Sequence, residues 1–297
     1  MIQLERVFTW SNWQPLQECW LEGKIPSQPG IYRIRRVGHE QLDYIGQTGS
    51  GTMTLRKRLA MLRGIYAEQM PYRDPHTAAP ALWALRHQSS CDFEVSVLPV
   101  QGSTPWRKGL EALAISLYRQ AYGRSPTINF GRMPIGYRMS SGNTAKLEQE
   151  GLRFRGGLTS KENANHLPSI TPVNSLAGDP TCTNWCGHSW SDWVVLDTVR
   201  SKLLGNELGL YRIQGTNQVG LVYIGQGNLR QRLSQHDRKF RLAADEQGQV
   251  LRQAGRLSCS WVENSIWYTH QRLELENDLI AAHLLQLELV PPAQFLG

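Results

Sequence analysis

The feature that most constrains this chain is that its second half repeats its first. Trp10-Ser11-Asn12-Trp13 returns as Trp190-Ser191-Asp192-Trp193, and Gly30-Ile31-Tyr32-Arg33-Ile34 as Gly209-Leu210-Tyr211-Arg212-Ile213. Tyr44-Ile45-Gly46-Gln47 returns as Tyr223-Ile224-Gly225-Gln226, and Leu55-Arg56-Lys57-Arg58-Leu59 as Leu229-Arg230-Gln231-Arg232-Leu233. The order is kept, and so are some spacings: Tyr32 to Tyr44 and Tyr211 to Tyr223 are both 12 residues. Further on, Leu110-Glu111 and Ile115 match Leu275-Glu276 and Ile280. Pro126, Asn129 and Phe130 match Pro291, Gln294 and Phe295, again with 18 residues from each glutamate to its late amide. Repetition of this kind implies two homologous domains, at 1–137 and 188–297. Between them, 138–187 is rich in Gly, Ser, Asn and Pro and reads as a connector, with some helical character from Leu147 to Phe154 and with Arg153, Arg155, Gly156 and Gly157 able to touch phosphate.

Local patterning defines the repeated unit. Ile31 to Ile34 is short, β-prone and preceded by Pro29-Gly30, and Gly38 separates it from Leu42 to Ile45, as in a hairpin. Gly215-Thr216-Asn217 supplies the corresponding turn in the second copy. Leu55, Leu59 and Leu62 recur at helical spacing and line one buried face. Arg232 and His236 are neighbours on one side of the equivalent helix. Cys91 to Leu98 alternates as a strand, and Leu110, Leu113, Ala114 and Leu117 make the next helix amphipathic, with Glu111 near its start. The expected fold is α/β (α+β): two domains, each a small antiparallel three-stranded sheet flanked by helices.

Charge is distributed unequally. The net charge is +7, and residues 1–140 hold 17 Lys and Arg against 10 Asp and Glu, whereas 141–297 hold 15 of each. A one-sided positive field suits a polyanionic partner, although solubility alone also accounts for such an excess. No run approaches the roughly 20 apolar residues a membrane span needs. Met1 to Arg6 has no basic stretch followed by an apolar one. Five scattered cysteines suit reduced thiols, so the expected location is the cytoplasm.

In the hairpin tyrosines, the downstream arginine, the helical glutamate and the late amide, taken in order, the chain resembles the GIY-YIG nuclease superfamily, twice over, across most of residues 20–132 and 200–297. The isolated Gly64-Ile65-Tyr66, with no YIG partner, shows that the tripeptide alone carries little. The resemblance implies metal-dependent hydrolysis of phosphodiester bonds, with Mg²⁺ or Mn²⁺ held by Glu111 and Glu276. It implies catalytic roles for Tyr32, Tyr44, Arg58, Glu111 and Asn129, and in the second copy for Tyr211, Tyr223, Arg232, His236 and Glu276, the last favoured over nearby Glu274. The chemistry suits these residue types. A phenol of lowered pKa accepts or relays a proton from water, a carboxylate holds a hard divalent cation, a guanidinium neutralises phosphate, and an amide orients phosphate or a metal-bound water.

The copies depart from the family pattern differently. Where many members carry a histidine one turn after the arginine, the first copy has Leu62 and the second His236. His76, in Asp74-Pro75-His76-Thr77, either reaches the first site from its loop or caps that loop. Gln294 stands in place of the late asparagine. Cys182, Cys186 and His188 form at most a partial zinc site, lacking an evident fourth ligand. The recurring tryptophans read as core, with base stacking as the alternative. The resulting expectation is a DNA endonuclease, a pseudo-dimer within one chain with the first domain competent, capable of double-strand cleavage and, by analogy alone, suited to restriction or phage defence. The rivals are a nucleic-acid-binding protein with one or both copies inactive, and an RNA-directed nuclease.

Overall fold

The computed structural model describes residues 8–159 and 164–296. Its first sheet consists of β1 (Gln14–Pro15), β2 (Gly30–Arg36), β3 (Tyr44–Gln47) and β4 (Phe93–Pro99), antiparallel and in the order β1-β4-β2-β3. Between β3 and β4 run α1 (Leu55–Ala60), started by the Thr54 hydroxyl accepting from the Lys57 amide, and α2 (Ala79–Ser89). Leu55, Leu59 and Leu62 are fully buried, as their spacing requires, and join Tyr32, Ile34, Leu82, Phe93 and Val95 in one core. α3 (Thr104–Tyr122) follows, then a short ribbon of β5 (Tyr137–Arg138) and β6 (Gly157–Leu158) with α4 (Ala145–Gln149) between its strands. The helical stretch read from Leu147 to Phe154 is thus shorter and starts earlier, behind the Thr144 cap.

The second sheet repeats the first. β7 (Val194–Val195) is followed by α5 (Val199–Lys202), β8 (Leu208–Gly215), β9 (Leu221–Asn228), α6 (Leu229–Leu242), α7 (Glu246–Gln253), β10 (Leu257–Glu263) and α8 (Thr269–Leu287). The strand order is β7-β10-β8-β9, all antiparallel. The class is α+β. Each sheet nevertheless has four strands rather than the expected three, because the repeated Trp-Ser-x-Trp segment adds a short one.

The way that segment attaches is the same in both copies. Ser11 N–H donates to Val97 O (2.9 Å), Val97 N–H donates to the Ser11 hydroxyl (3.0 Å), and the Ser96 hydroxyl donates to Ser11 O (2.8 Å). Ser191 makes the equivalent bonds with Trp261 and Ser260, at 2.8, 3.1 and 2.8 Å. The flanking tryptophans then hold an arginine from the central strand. The Arg33 guanidinium stands 4.7 Å from the centroids of both Trp10 and Trp13, and Arg212 stands 4.3 and 4.7 Å from Trp190 and Trp193. Trp190 lies in the buried core and Trp193 packs against it, as expected, and all four rings also face one of the protein's own cations.

The chain forms two compact units, Met1–Arg107 with Ser125–Pro168, and Lys108–Arg124 with Ser169–Gly297. These bounds are not those of the repeat. The stretch between the repeats divides, 138–168 joining the first unit and 169–187 the second. The body of α3 joins the second unit because buried polar bonds tie it to α8. Asn277 Nδ2 donates to Ala112 O (3.0 Å) and to the Ser116 hydroxyl (2.8 Å). Arg119, fully buried, pairs with Asp278 at 2.9 Å and with Glu274 at 3.4 Å. Burial raises the Asp278 pKa, opposed by Arg119.

In the second unit the former connector closes over Arg212, whose guanidinium donates to Pro180 O (2.6 Å) and Cys182 O (2.9 Å). The zinc reading fails here. Among the described residues no group of three His, Cys, Asp or Glu side chains converges on a metal position. Cys182 is exposed, the buried Cys186 thiol points at Ala177 O, and His188 stands edge-on to Trp190 and Trp267. Burial raises the Cys186 thiol to about 12 and lowers His188 to about 4. All five cysteines are unpaired. No helix among the described residues is long and apolar enough to cross a membrane. The leader reading of Met1 to Arg6 lies outside the described residues.

Desolvation lowers the Arg212 pKa to about 10, so this cation depends on its carbonyl and ring partners. Arg212→Ala strands the Pro180 and Cys182 carbonyls and opens the sandwich, a loss of about 3 kcal/mol expected in urea unfolding. A loss below about 1 kcal/mol for Arg212→Ala would refute the role assigned to the wrapping segment.

Candidate active site

Pairing across each hairpin places the motif side chains. Tyr32 lies opposite Gly46 and Ile34 opposite Tyr44, so both tyrosines project from one face of the sheet. Their rings are 6.1 Å apart; those of Tyr211 and Tyr223 are 6.0 Å apart and nearly parallel. The glycine of each Tyr-Ile-Gly is required by this contact. A Cβ on Gly46 would lie 2.7 Å from the Tyr32 hydroxyl oxygen, and one on Gly225 would lie 2.4 Å from that of Tyr211. Tyr32 and Tyr211 are fully buried, whereas Tyr44 and Tyr223 are partly exposed. Solvent therefore reaches the second tyrosine of each pair rather than the first.

A histidine stands behind each buried tyrosine. In the second copy, His236 on α6 approaches Tyr211, Nε2 to hydroxyl at 2.9 Å. In the first copy, His76 from the loop before α2 makes the same contact with Tyr32 at 2.7 Å. Leu62, at the position matching His236, is core instead. His76 also caps its own loop, since Nδ1 accepts from Ala78 N–H at 3.2 Å. The two alternatives for this residue thus coexist, and together they determine its tautomer. With Nδ1 accepting, neutral His76 carries its proton on Nε2 and donates to the Tyr32 oxygen. His236 differs: its Nδ1 is buried with no hydrogen-bond partner, so no backbone group dictates which nitrogen holds the proton.

The electrostatics of the second cluster are strongly perturbed. Burial lowers His236 to about 3, helped by Arg232 and Lys239. Burial raises both tyrosines, Tyr211 well above the usual phenol range, with Glu276 adding to the effect. The two phenol rings stack with centroids 6.0 Å apart. The expected lowered phenol pKa is therefore not what this site provides; burial favours the protonated hydroxyls. Burial raises Glu276 to about 8, partly offset by Arg232. In the first copy, Arg58 donates to Pro75 O at 2.7 Å and depresses His76, after burial the next cause of its lowered pKa. Glu111 is half-buried near the start of α3, on the segment that joins the second unit.

Glu274 and Glu276 have different surroundings. Glu274 is fully buried, paired with Arg119, and accepts from Ser169 and from the Ile170 amide. Glu276 receives no hydrogen bond or ion pair among the described residues, only the field of Arg232. A desolvated, unbonded carboxylate with hard oxygens fits a divalent cation whose other positions go to water and phosphate.

The late amides belong to the framework. Asn129 Oδ1 accepts from Ile45 N–H (3.0 Å) and its Nδ2 donates to Ile45 O (2.8 Å), so both ends are spent on the peptide of β3. Gln294 Oε1 accepts from Ile224 N–H at 3.0 Å. Both amides are buried and hold the strand carrying the second tyrosine, rather than pointing at a phosphate. Gln294, one methylene longer, reaches the same peptide.

Comparison of the chain with protein-family models, curated proteins and solved structures yields no match.

The raised Glu276 pKa has a definite linkage. Between about 4.5 and about 8 the folded state holds a proton there that the unfolded state has lost, so stability falls as pH rises through that window. Relative to Glu276→Gln, the wild type should lose up to roughly 1.4 kcal/mol per pH unit across it. Differential urea unfolding from pH 5 to 8 reads this, and a flat difference would refute it.

Proposed function

We propose that the protein is a metal-dependent phosphodiesterase of the GIY-YIG type, cutting DNA as an endonuclease, with its two repeats acting as a pseudo-dimer. The observation that carries this reading is the tyrosine–histidine pair built twice from histidines that do not correspond in the sequence. A merely inherited packing contact would not need a replacement from another loop.

In this reading the second copy supplies the proton route, through the Tyr211–His236 contact and the neighbouring Tyr223. Tyr223 is the phenol open to solvent, Tyr211 lies behind it and His236 behind that. As water attacks phosphorus, its proton would pass to Tyr223, the proton of Tyr223 to Tyr211 and that of Tyr211 to Nε2 of His236, while the P–O bond to the leaving sugar oxygen breaks and that oxygen takes a proton from bulk water. Arg232 holds a phosphate oxygen, and the bound anion cancels part of the field that depresses His236, making it a better acceptor once substrate is present. Glu276 would hold Mg²⁺ or Mn²⁺, which would supply Lewis-acid stabilisation of the phosphate oxygens. Asn129 and Gln294 are positioning residues for the strand of the exposed tyrosine.

The first copy lacks this route. His76 is committed to donating from Nε2, so it orients Tyr32 but takes no proton from it. Charge and Asn129 pointed to competence in the first copy; the tautomers favour hydrolysis in the second. In this division of labour the first copy, with the positive excess, holds nucleic acid while the second cuts one strand per encounter.

The test is cleavage of supercoiled plasmid with Mg²⁺ or Mn²⁺, with RNA as a competing substrate. The wild type is expected to nick before it linearises. Glu276→Ala and His236→Gln should each slow nicking by about 100-fold or more, while Glu111→Ala and His76→Gln retain most of it. Loss with Glu111→Ala but not with Glu276→Ala would reverse the assignment, and a wild type inert on all DNA and RNA would end the enzyme reading.

A further inference from the structure

The first unit carries a second cluster of cations away from its tyrosine pair. Arg153 and Arg155 stand over one ring, that of Tyr72, with guanidinium carbons 4.5 and 4.1 Å from its centroid. Arg138 stands 5.2 Å from the centroid of Phe154. β5 and β6 bring these residues together by pairing Arg138 with Gly157. All three arginines and Phe154 are exposed. Arg153 pairs with Glu148, and Arg155 donates to Met70 O at 3.3 Å. Among the described residues no carboxylate pairs with Arg138 or Arg155.

Stacking restricts each guanidinium before any ligand arrives, which lowers the entropy cost of using its donors. Two cations sharing one ring also repel one another, and an anion placed between them relieves that repulsion. A row of planar forks with unspent donors suits phosphate, which guanidinium binds in bidentate fashion.

We propose that the β5–β6 ribbon with Tyr72 is a phosphate-binding arm that grips the backbone of duplex DNA without regard to sequence. The proposal rests on the nucleic-acid reading above but not on cleavage. It is tested by fluorescence anisotropy of a short labelled duplex bound by the full chain in EDTA, over a series of salt concentrations. The variant Arg153→Gln with Arg155→Gln should bind about tenfold more weakly at low salt, with the slope of log affinity against log salt lowered by about two. Tyr72→Leu keeps every charge and should weaken binding less, with the slope retained. Thermal melts show whether each variant is folded, and Arg138→Gln, on a different ring, gives an independent arm with a slope lowered by about one. Unchanged affinity and slope in the folded double variant overturn the arm, as does a wild type that prefers single-stranded RNA to the duplex. If the wild type cleaves plasmid but the double variant binds normally, the arm fails and the nuclease stands. If the wild type does not cleave but its binding depends on these arginines, the nuclease fails and the arm stands.

Discussion

The contact on which both sites depend is the seating of a tyrosine over a glycine across a two-stranded hairpin. β2 and β3 put Tyr32 against Gly46, and β8 and β9 put Tyr211 against Gly225. The absence of a Cβ lets the buried phenol lie flat on the neighbouring strand, and this ring position makes a histidine contact possible from behind and a second tyrosine possible in front. The Asn129 and Gln294 amides clamp the peptide next to that glycine. Most of the repeated residues can be understood as holding this one arrangement in place.

Given that constraint, the cluster's electrostatics follow from burial. Histidine, tyrosine and glutamate are all pushed toward their neutral forms, and the nearby arginine reinforces this for the histidine while opposing it for the carboxylate. A cluster of this kind stores little charge. The histidines of the two copies differ in one bond: the Nδ1 of His76 is taken by a backbone amide, and that of His236 is not.

Much of this was readable from the residues. The hairpins, the buried Leu55-Leu59-Leu62 face, the late helices and the contrast between Glu274 and Glu276 all lie on local periodicity or on the register between the copies. His76 was only half readable, because loop geometry brings it to Tyr32 and no spacing rule encodes that path. The short strands after Trp13 and Trp193 were missed because two residues carry no alternation to detect. The late amides looked chemical because their residue type suits phosphate, yet an unpaired strand peptide is an equally good partner. The allegiance of α3 was unreadable, since Arg119 in isolation is an ordinary helix arginine and only its distant partners Glu274 and Asp278 explain its burial.

That last pairing bears on where the chain can be divided. Arg119 belongs to the first copy by sequence, and its two carboxylates belong to the second. A gene cut between the copies would leave Arg119 in one product and Glu274 and Asp278 in the other, so neither product keeps the pairing that orders α3 against α8. The repeat read along the sequence is therefore not the unit that packs together: trimming at the repeat boundary divides a buried ion cluster.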